Sequence, residues 1–225
     1  MVSKWERWAT LSGALAVPFW VASVALISTK VKGSKGPEIL THYQQHSDGI
    51  LAAGLLWAIG TLLFIWFLGS LRSALRVAEG GTGRVSSVAF AGGVVSASAF
   101  FAFVTLIAGA AFHPDQSTPE VTRAINDLAV VSAGPALAGL TALFAASAKV
   151  AFRHGAFSPA IGWLLALAAF AQLFAVGAML TDSGAFAGDG VLGFALPIVG
   201  FAVAILVLSG ALVRRAGRVD QPVAG

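Results

Sequence analysis

Glu38, His42 and His46 recur at intervals of four residues in the segment KGPEILTHYQQHSDG. On a helix that spacing puts one carboxylate and two imidazoles on a single face. Two histidines at i and i+4 can reach one metal ion, and a neighbouring carboxylate can complete or orient the set. His113, in the run His113-Pro114-Asp115, offers a third imidazole, and Asp115 or Asp182 offers a further carboxylate. The metal expectation is therefore His42, His46 and His113, with a metal ion or heme as the cofactor class that imidazoles serve. HxxxH without the glutamate of a zinc-protease motif recurs often by chance. The competing reading makes these residues solvated groups anchored at the membrane headgroups. Bis-histidine heme inside the bilayer is disfavoured, because no histidine falls in the middle of an apolar run.

Other candidates are polar residues at or below the ends of apolar runs. Asp127, beside Asn126, reaches below headgroup level, where an ionisable residue is a functional hypothesis by default. The alternative is an acid in a first helical turn, paired with Arg123 four residues earlier. Gln172 sits in the middle of an apolar run, where interhelical hydrogen bonding is the usual role. Together with Glu38, Tyr43, Asp115 and Asp182, Asp127 and Gln172 form the set expected to contact a ligand. Acid–base chemistry on a lipid or isoprenoid can be drawn from Asp115, Asp127, Asp182 and Asp189, although nothing in their spacing requires it. Nucleophilic and phosphate-binding motifs fail. There is no G-x-S-x-G, and the Gly80-Gly81-Thr82-Gly83 turn lacks a lysine and a strand–helix context. The absence of cysteine removes disulfides, thiolate metal sites and thiol redox chemistry.

The elements that must position these residues are membrane helices. The chain is 57% hydrophobic and 11% charged, with a mean hydropathy of +0.85, whereas about a quarter of a soluble domain is charged. Six uncharged runs, at residues 8–29, 49–71, 85–112, 128–148, 155–181 and 190–213, are long enough to cross a bilayer, and they place spans at about 8–29, 49–71, 85–112, 125–148, 158–181 and 190–213. Period-two alternation is missing, so these are helices rather than barrel strands. The expected fold is all-α: one polytopic transmembrane domain of six spanning helices, numbered one to six here. The first run is read as a retained span and not as a cleaved signal, since no small-residue cleavage site closes it. Pro18, Pro135 and Pro197 are expected to kink spans one, four and six. Gly92, Gly93, Ser96 and Ala97 in span three, Gly134, Ala138 and Gly139 in span four, and Gly193 with Gly200 in span six are expected to let backbones approach.

Gly36-Pro37-Glu38 has the form of a helix start, with proline in first position and an acid in the first turn. A short amphipathic helix over Pro37–His46 is predicted, with Ile39, Leu40 and Tyr43 opposite the histidine face. It is expected to lie on the outer membrane surface or over the mouth of the bundle.

Lys4, Arg7, Arg72, Arg76, Arg84, Lys149, Arg153, Arg214, Arg215 and Arg218 fall on one side of the membrane, and Lys30, Lys32, Lys35 and Arg123 on the other. By the positive-inside rule both termini are cytoplasmic, in the cell membrane. The same rule accounts for the pI near 10, so nucleic acid is not an expected partner.

The stretch HYQQHSDG followed by ILAAGLLWAIGTLLFIWFLGSLRSALRVAEGGTGRVSSVAFAGG resembles a group of uncharacterised six-helix membrane proteins of high-GC Gram-positive bacteria. The resemblance covers mainly residues 41–95. It implies the topology and a tyrosine–histidine segment ahead of span two, and it brings no activity. The functional expectation is a protein that binds a small apolar molecule, a lipid or a metal-bearing cofactor at its extracytoplasmic face. The alternatives are a membrane enzyme acting on a lipid or isoprenoid, and a subunit packing in a homo-oligomer or against another membrane protein.

Overall fold

The computed structural model describes residues 4–27, 35–177, 184–185 and 191–219. Among them are six helices, each long and apolar enough to cross a membrane: α1 Lys4–Leu26, α2 Gly36–Glu79, α3 Arg84–Phe112, α4 Pro119–His154, α5 Pro159–Gly177 and α6 Leu196–Val219. The expected all-α polytopic bundle is present, and its surface is the apolar one that a bilayer demands. Leu55, Leu62, Trp163, Leu167 and Phe170 are all more than half exposed, an arrangement that only hydrocarbon solvent stabilises. The chain is an integral membrane protein.

Successive helices are antiparallel neighbours, and α6 returns to pack on α1. Two glycine turns bring this about. Gly80, Gly81 and Gly83 between α2 and α3, and Gly155 after α4, all have φ between 54° and 66°, a region that side chains with a Cβ adopt only at a cost. Glu79 finishes the first turn. Its carboxylate accepts the backbone N–H of Val85 and of Ser86, each at 2.8 Å, and so satisfies two orphan donors at the start of α3. Glu79 lies beyond the apolar run. The Val85 N–H holds its carboxyl below the usual carboxylate range; burial opposes this, and Ser86 and the charge of His154 add to it.

The main core is centred on α2. Phe64, Phe67, Leu68, Leu71 and Leu75 meet Leu143 and Phe144 of α4 and Ile205 and Leu208 of α6. Trp20 of α1 packs against Trp57, Phe64 and Phe201 with ring centroids 5.9, 5.1 and 5.2 Å away. Close approaches occur where glycine permits. A Cβ on Gly92 would fall 2.6 Å from the Gly139 carbonyl oxygen, and one on Gly139 would fall 2.5 Å from the Gly92 oxygen. One residue along, a Cβ on Gly93 would meet Leu68 at 2.5 Å. The Gly92-Gly93 pair thus seats α3 between α4 and α2. Gly200 differs from expectation, since a Cβ there would meet only Ala171 at 3.9 Å, an ordinary contact.

Two irregularities in the helices bear on the site. The short helix expected over Pro37–His46 is present: within α2, Gly36–Glu79, it is joined to span two across a kink at His46 (φ −124°, ψ 15°), the residue at which the sequence predicts its end. At about 1.5 Å per residue the part of α2 after the kink is enough to cross about 30 Å of hydrocarbon by itself, and the segment before the kink precedes the apolar run of span two. The sixth span is irregular at Pro197: a π-helical turn over Val191–Ala195 runs directly into α6, and Pro197, which lacks an N–H, stands just past that change of winding.

Candidate functional site

The polar residues gather at the end of the bundle formed by the start of α2, the end of α3 and the start of α4. The first turns of α2 fold onto this end as a cap. Gly36 touches the Pro119 backbone, where a Cβ would fall 2.9 Å from the carbonyl oxygen. Ile39 and Tyr43 are 2% and 1% exposed and join Ile50, Ile107, Ala110, Ala111 and Ala129 in a second, smaller core. The Tyr43 hydroxyl donates to Asn126 Oδ1 at 3.2 Å, both groups buried. Tyr43 lies ahead of the apolar run of span two, and burial pushes its hydroxyl pKa up to about 12.

The face carrying Glu38, His42 and His46 is split by this docking. Glu38 and His46 are exposed, whereas His42 is buried at 7% exposure. The His42 and His46 rings stack at 4.4 Å, and His46 Nδ1 lies 3.0 Å from the His42 carbonyl oxygen, to which it donates. One His46 nitrogen is therefore committed to the backbone. His113 ends α3 with its ring against Phe112, centroids 4.4 Å apart. Among the described residues no three histidine, aspartate or glutamate side chains come together as metal ligands, so the expected grouping of His42, His46 and His113 is not formed. His42 and His46 stay together as a stacked pair, one buried and one exposed, and His113 at the end of α3 does not join them.

The remaining candidates are dispersed. Asp115 is exposed on a single 3₁₀ turn, Pro114–Gln116. Asp127 is 55% exposed and pairs with Arg123 at 3.6 Å, which is the helix-surface reading of that residue. Glu38 closes the start of α2, its Oε2 accepting the Lys35 N–H at 3.4 Å. Gln172 is 1% exposed and donates to the Pro197 carbonyl at 2.9 Å, tying α5 to α6 where the π turn ends. Asp182 and Asp189 lie outside the described residues.

What the structure does build here is a groove along the exposed side of α3. A cavity of about 330 Å³ lies between the end of α3 and the start of α4, with Phe112, His113, Gln116, Ser117, Thr118 and Val121 in its walls. A second, of about 350 Å³, lies between α2 and α3 and is lined by Leu51, Gly54, Phe101, Val104, Thr105 and Ala108. Gly109 and Phe112 belong to both. The first half mixes polar groups with the apolar walls of Ala110, Phe112, Val121 and Ile125, and the other is almost wholly apolar. A Cβ on Gly109 would meet nothing within 4 Å, so the junction is open. Local capping fixes the first half. Thr118 Oγ1 accepts the Val121 N–H at 3.4 Å, and the Ser117 and Thr122 hydroxyls are 2.9 Å apart.

Sequence reasoning missed Asn126 as the tyrosine partner and missed the groove entirely. The signal for Asn126 was present: Thr122, Asn126 and Ala129 share one helical face and are buried, while Arg123 and Asp127 share the adjacent, exposed face. The groove had no such signal, because its walls come from three helices and a turn. Comparison with protein-family models, curated proteins and solved structures gives no match, so function must be argued from the cap and groove themselves.

Proposed function

We propose that this membrane protein binds an amphiphilic lipid in the groove along α3, with the apolar part against Leu51, Phe101, Val104 and Ala108 and the polar part at His113, Gln116 and Ser117. The observation that carries this is the junction at Gly109 and Phe112, where an almost wholly apolar cavity meets one that also presents His113, Gln116, Ser117 and Thr118. Each half lies within the size range of small-molecule sites, and their order along α3 matches the order of polarity at a membrane interface. His113 offers a ring nitrogen, Gln116 an amide and Ser117 a hydroxyl, which are neutral hydrogen-bonding groups suited to an ester, hydroxyl or amide headgroup.

Gly109→Phe tests the proposal. The new ring enters open space, so the fold is retained, while the groove is blocked at its junction. Lipid retained on the purified protein, read by native mass spectrometry, is expected to fall about tenfold, as when a pocket is denied several methylenes. Unchanged retention would exclude the groove as the site.

Sidedness is part of the same reading. Arg72, Arg76, Arg84, Lys149, Arg153, Arg214 and Arg215 all belong to the opposite end of the bundle, which supports placing both termini in the cytoplasm and the groove mouth on the extracytoplasmic side of the cell membrane. With no cysteine in the chain, single replacements report this directly. In intact cells a membrane-impermeant maleimide should label Gln116→Cys and leave Thr82→Cys unlabelled; the reverse pattern would invert the orientation.

A further inference from the structure

The end of the bundle away from the groove carries a second arrangement, at the seam between α2 and α3. Arg72 is the first charged residue after the apolar run of span two, and its guanidinium lies 5.3 Å from the centre of the Phe90 ring on α3. One turn further along α2, the stem of Arg76 lies against Gly83, with its Cγ and Cδ 3.1 and 3.4 Å from where a Cβ would stand. Residues 72 and 76 are one turn apart on α2, and residues 83 and 90 are two turns apart on the facing side of α3. The two arginines therefore climb the seam as a ladder, and Arg84 stands at its top beside Gly83. All three arginines are exposed.

Among the described residues their charge is not answered by an acid. Glu79, the acid of this hairpin, is committed to the Val85 and Ser86 N–H groups. Among the described residues no carboxylate is ion-paired with Arg72, Arg76 or Arg84. From α4, Lys149, Arg153 and His154, and from α6, Arg214 and Arg215, add only further cationic or neutral groups at this end. Towards the bilayer the surface below is apolar and open. Gly69 has nothing within 4 Å of its Cβ position, and Leu62, Ile65 and Trp66 are 59%, 48% and 48% exposed.

We propose that this seam is a binding site for an anionic phospholipid, its phosphate held between Arg72 and Arg76 and its chains laid over Gly69, Trp66 and Leu62. Arginine suits the task because its planar fork takes phosphate oxygens two at a time. The stacking of Arg72 on Phe90 reduces the freedom lost on binding, and the depth is right: a ladder that begins where the apolar run ends stands at the level of lipid phosphates. The site is separate from the groove along α3 and stands or falls without it.

Reconstitution into bilayers of mixed phosphatidylglycerol and phosphatidylcholine, followed by native mass spectrometry of the lipids retained, tests the proposal. The protein is expected to retain phosphatidylglycerol in preference, and Arg72→Gln and Arg76→Gln should each lower that preference about fivefold. Arg123→Gln, at the other end, should leave it unchanged. Equal retention of the two lipids, or a preference that survives both glutamine changes, overturns the site. Should the glutamine variants fail to fold, the unaltered protein still decides: its preference must weaken as salt is raised, and a salt-independent preference overturns the proposal. Inorganic phosphate at millimolar level should not displace the lipid; complete displacement would assign the arginines to a free anion instead.

Discussion

Gly139→Leu is expected to prevent α3 and α4 from packing and to leave little folded protein. A Cβ at this position already falls 2.5 Å from the Gly92 carbonyl oxygen and 2.8 Å from the Ser96 backbone nitrogen. Both obstacles are backbone, so neither can rotate away, and relief requires the helices to separate. Overpacking a core by a few carbons costs about 1–3 kcal/mol when side chains can adjust; here they cannot, and Gly139→Ala should already reach the upper part of that range. Gly92→Ala should behave alike, since its Cβ would meet the Gly139 oxygen at 2.6 Å and the Leu143 nitrogen at 2.8 Å. Gly109→Ala and Gly69→Ala, where a Cβ meets nothing within 4 Å, serve as controls and should stay within about 0.5 kcal/mol of the parent. Unfolding of each variant in the same detergent provides the comparison. A Gly139→Leu protein as stable as the controls would mean that the helices do not cross here.

The second large effect is expected at Tyr43. Tyr43→Ala removes the largest side chain of the small core that holds the cap and should cost about 3–5 kcal/mol, as for other buried aromatic truncations. Tyr43→Phe keeps the ring but leaves Asn126 Oδ1 buried without its donor, a loss of about 1–3 kcal/mol. Because Tyr43 belongs to the small core and not to the main one, the damage should be local. Residues 36–46 should become open to hydrogen exchange and proteolysis while the spans stay protected. Uniform destabilisation of the whole bundle would contradict that division. The chain has a single tyrosine, so ultraviolet difference absorption reads its ionisation alone. The folded pKa of about 12 stands above the ordinary 10.0, so burial of the neutral hydroxyl contributes stability that is fully present below pH 10. That contribution is lost as pH rises from there through 12. Tyrosinate appearing near pH 10 in the folded protein would show that the cap is not docked.

Much of the fold could be read without coordinates because a bilayer leaves few choices. Uncharged runs of this length must form helices, and the runs at residues 49–71 and 85–112 lie within α2 and α3 with the expected turn between them. Gly92 and Gly139 are needed for backbone approach, and a sequence displays that need directly. The segment Pro37–His46 is legible as a helix of its own, and the kink at His46 is where it ends. Its two faces follow from periodicity, but which face finds a partner depends on what the ends of α3 and α4 offer. Ile107, Ala110 and Ala129 offered apolar surface. The apolar face docked there, which left His42 and His46 stacked on each other without His113.

Gln172 shows the same limit from the other side: a mid-span amide signals a hydrogen bond, and only the fold supplies its partner, the Pro197 carbonyl 25 residues on. By itself the amino-acid order determined the membrane solvent, the six helices, their antiparallel order and the side of the bundle that carries the arginines, since each follows from local hydropathy, length and charge. Tertiary structure alone decided that Tyr43 meets Asn126 across 83 residues, that His42, His46 and His113 do not converge, and that a groove opens along α3. Those outcomes depend on the relative rotation of packed helices, and periodicity within any one helix leaves that rotation undetermined.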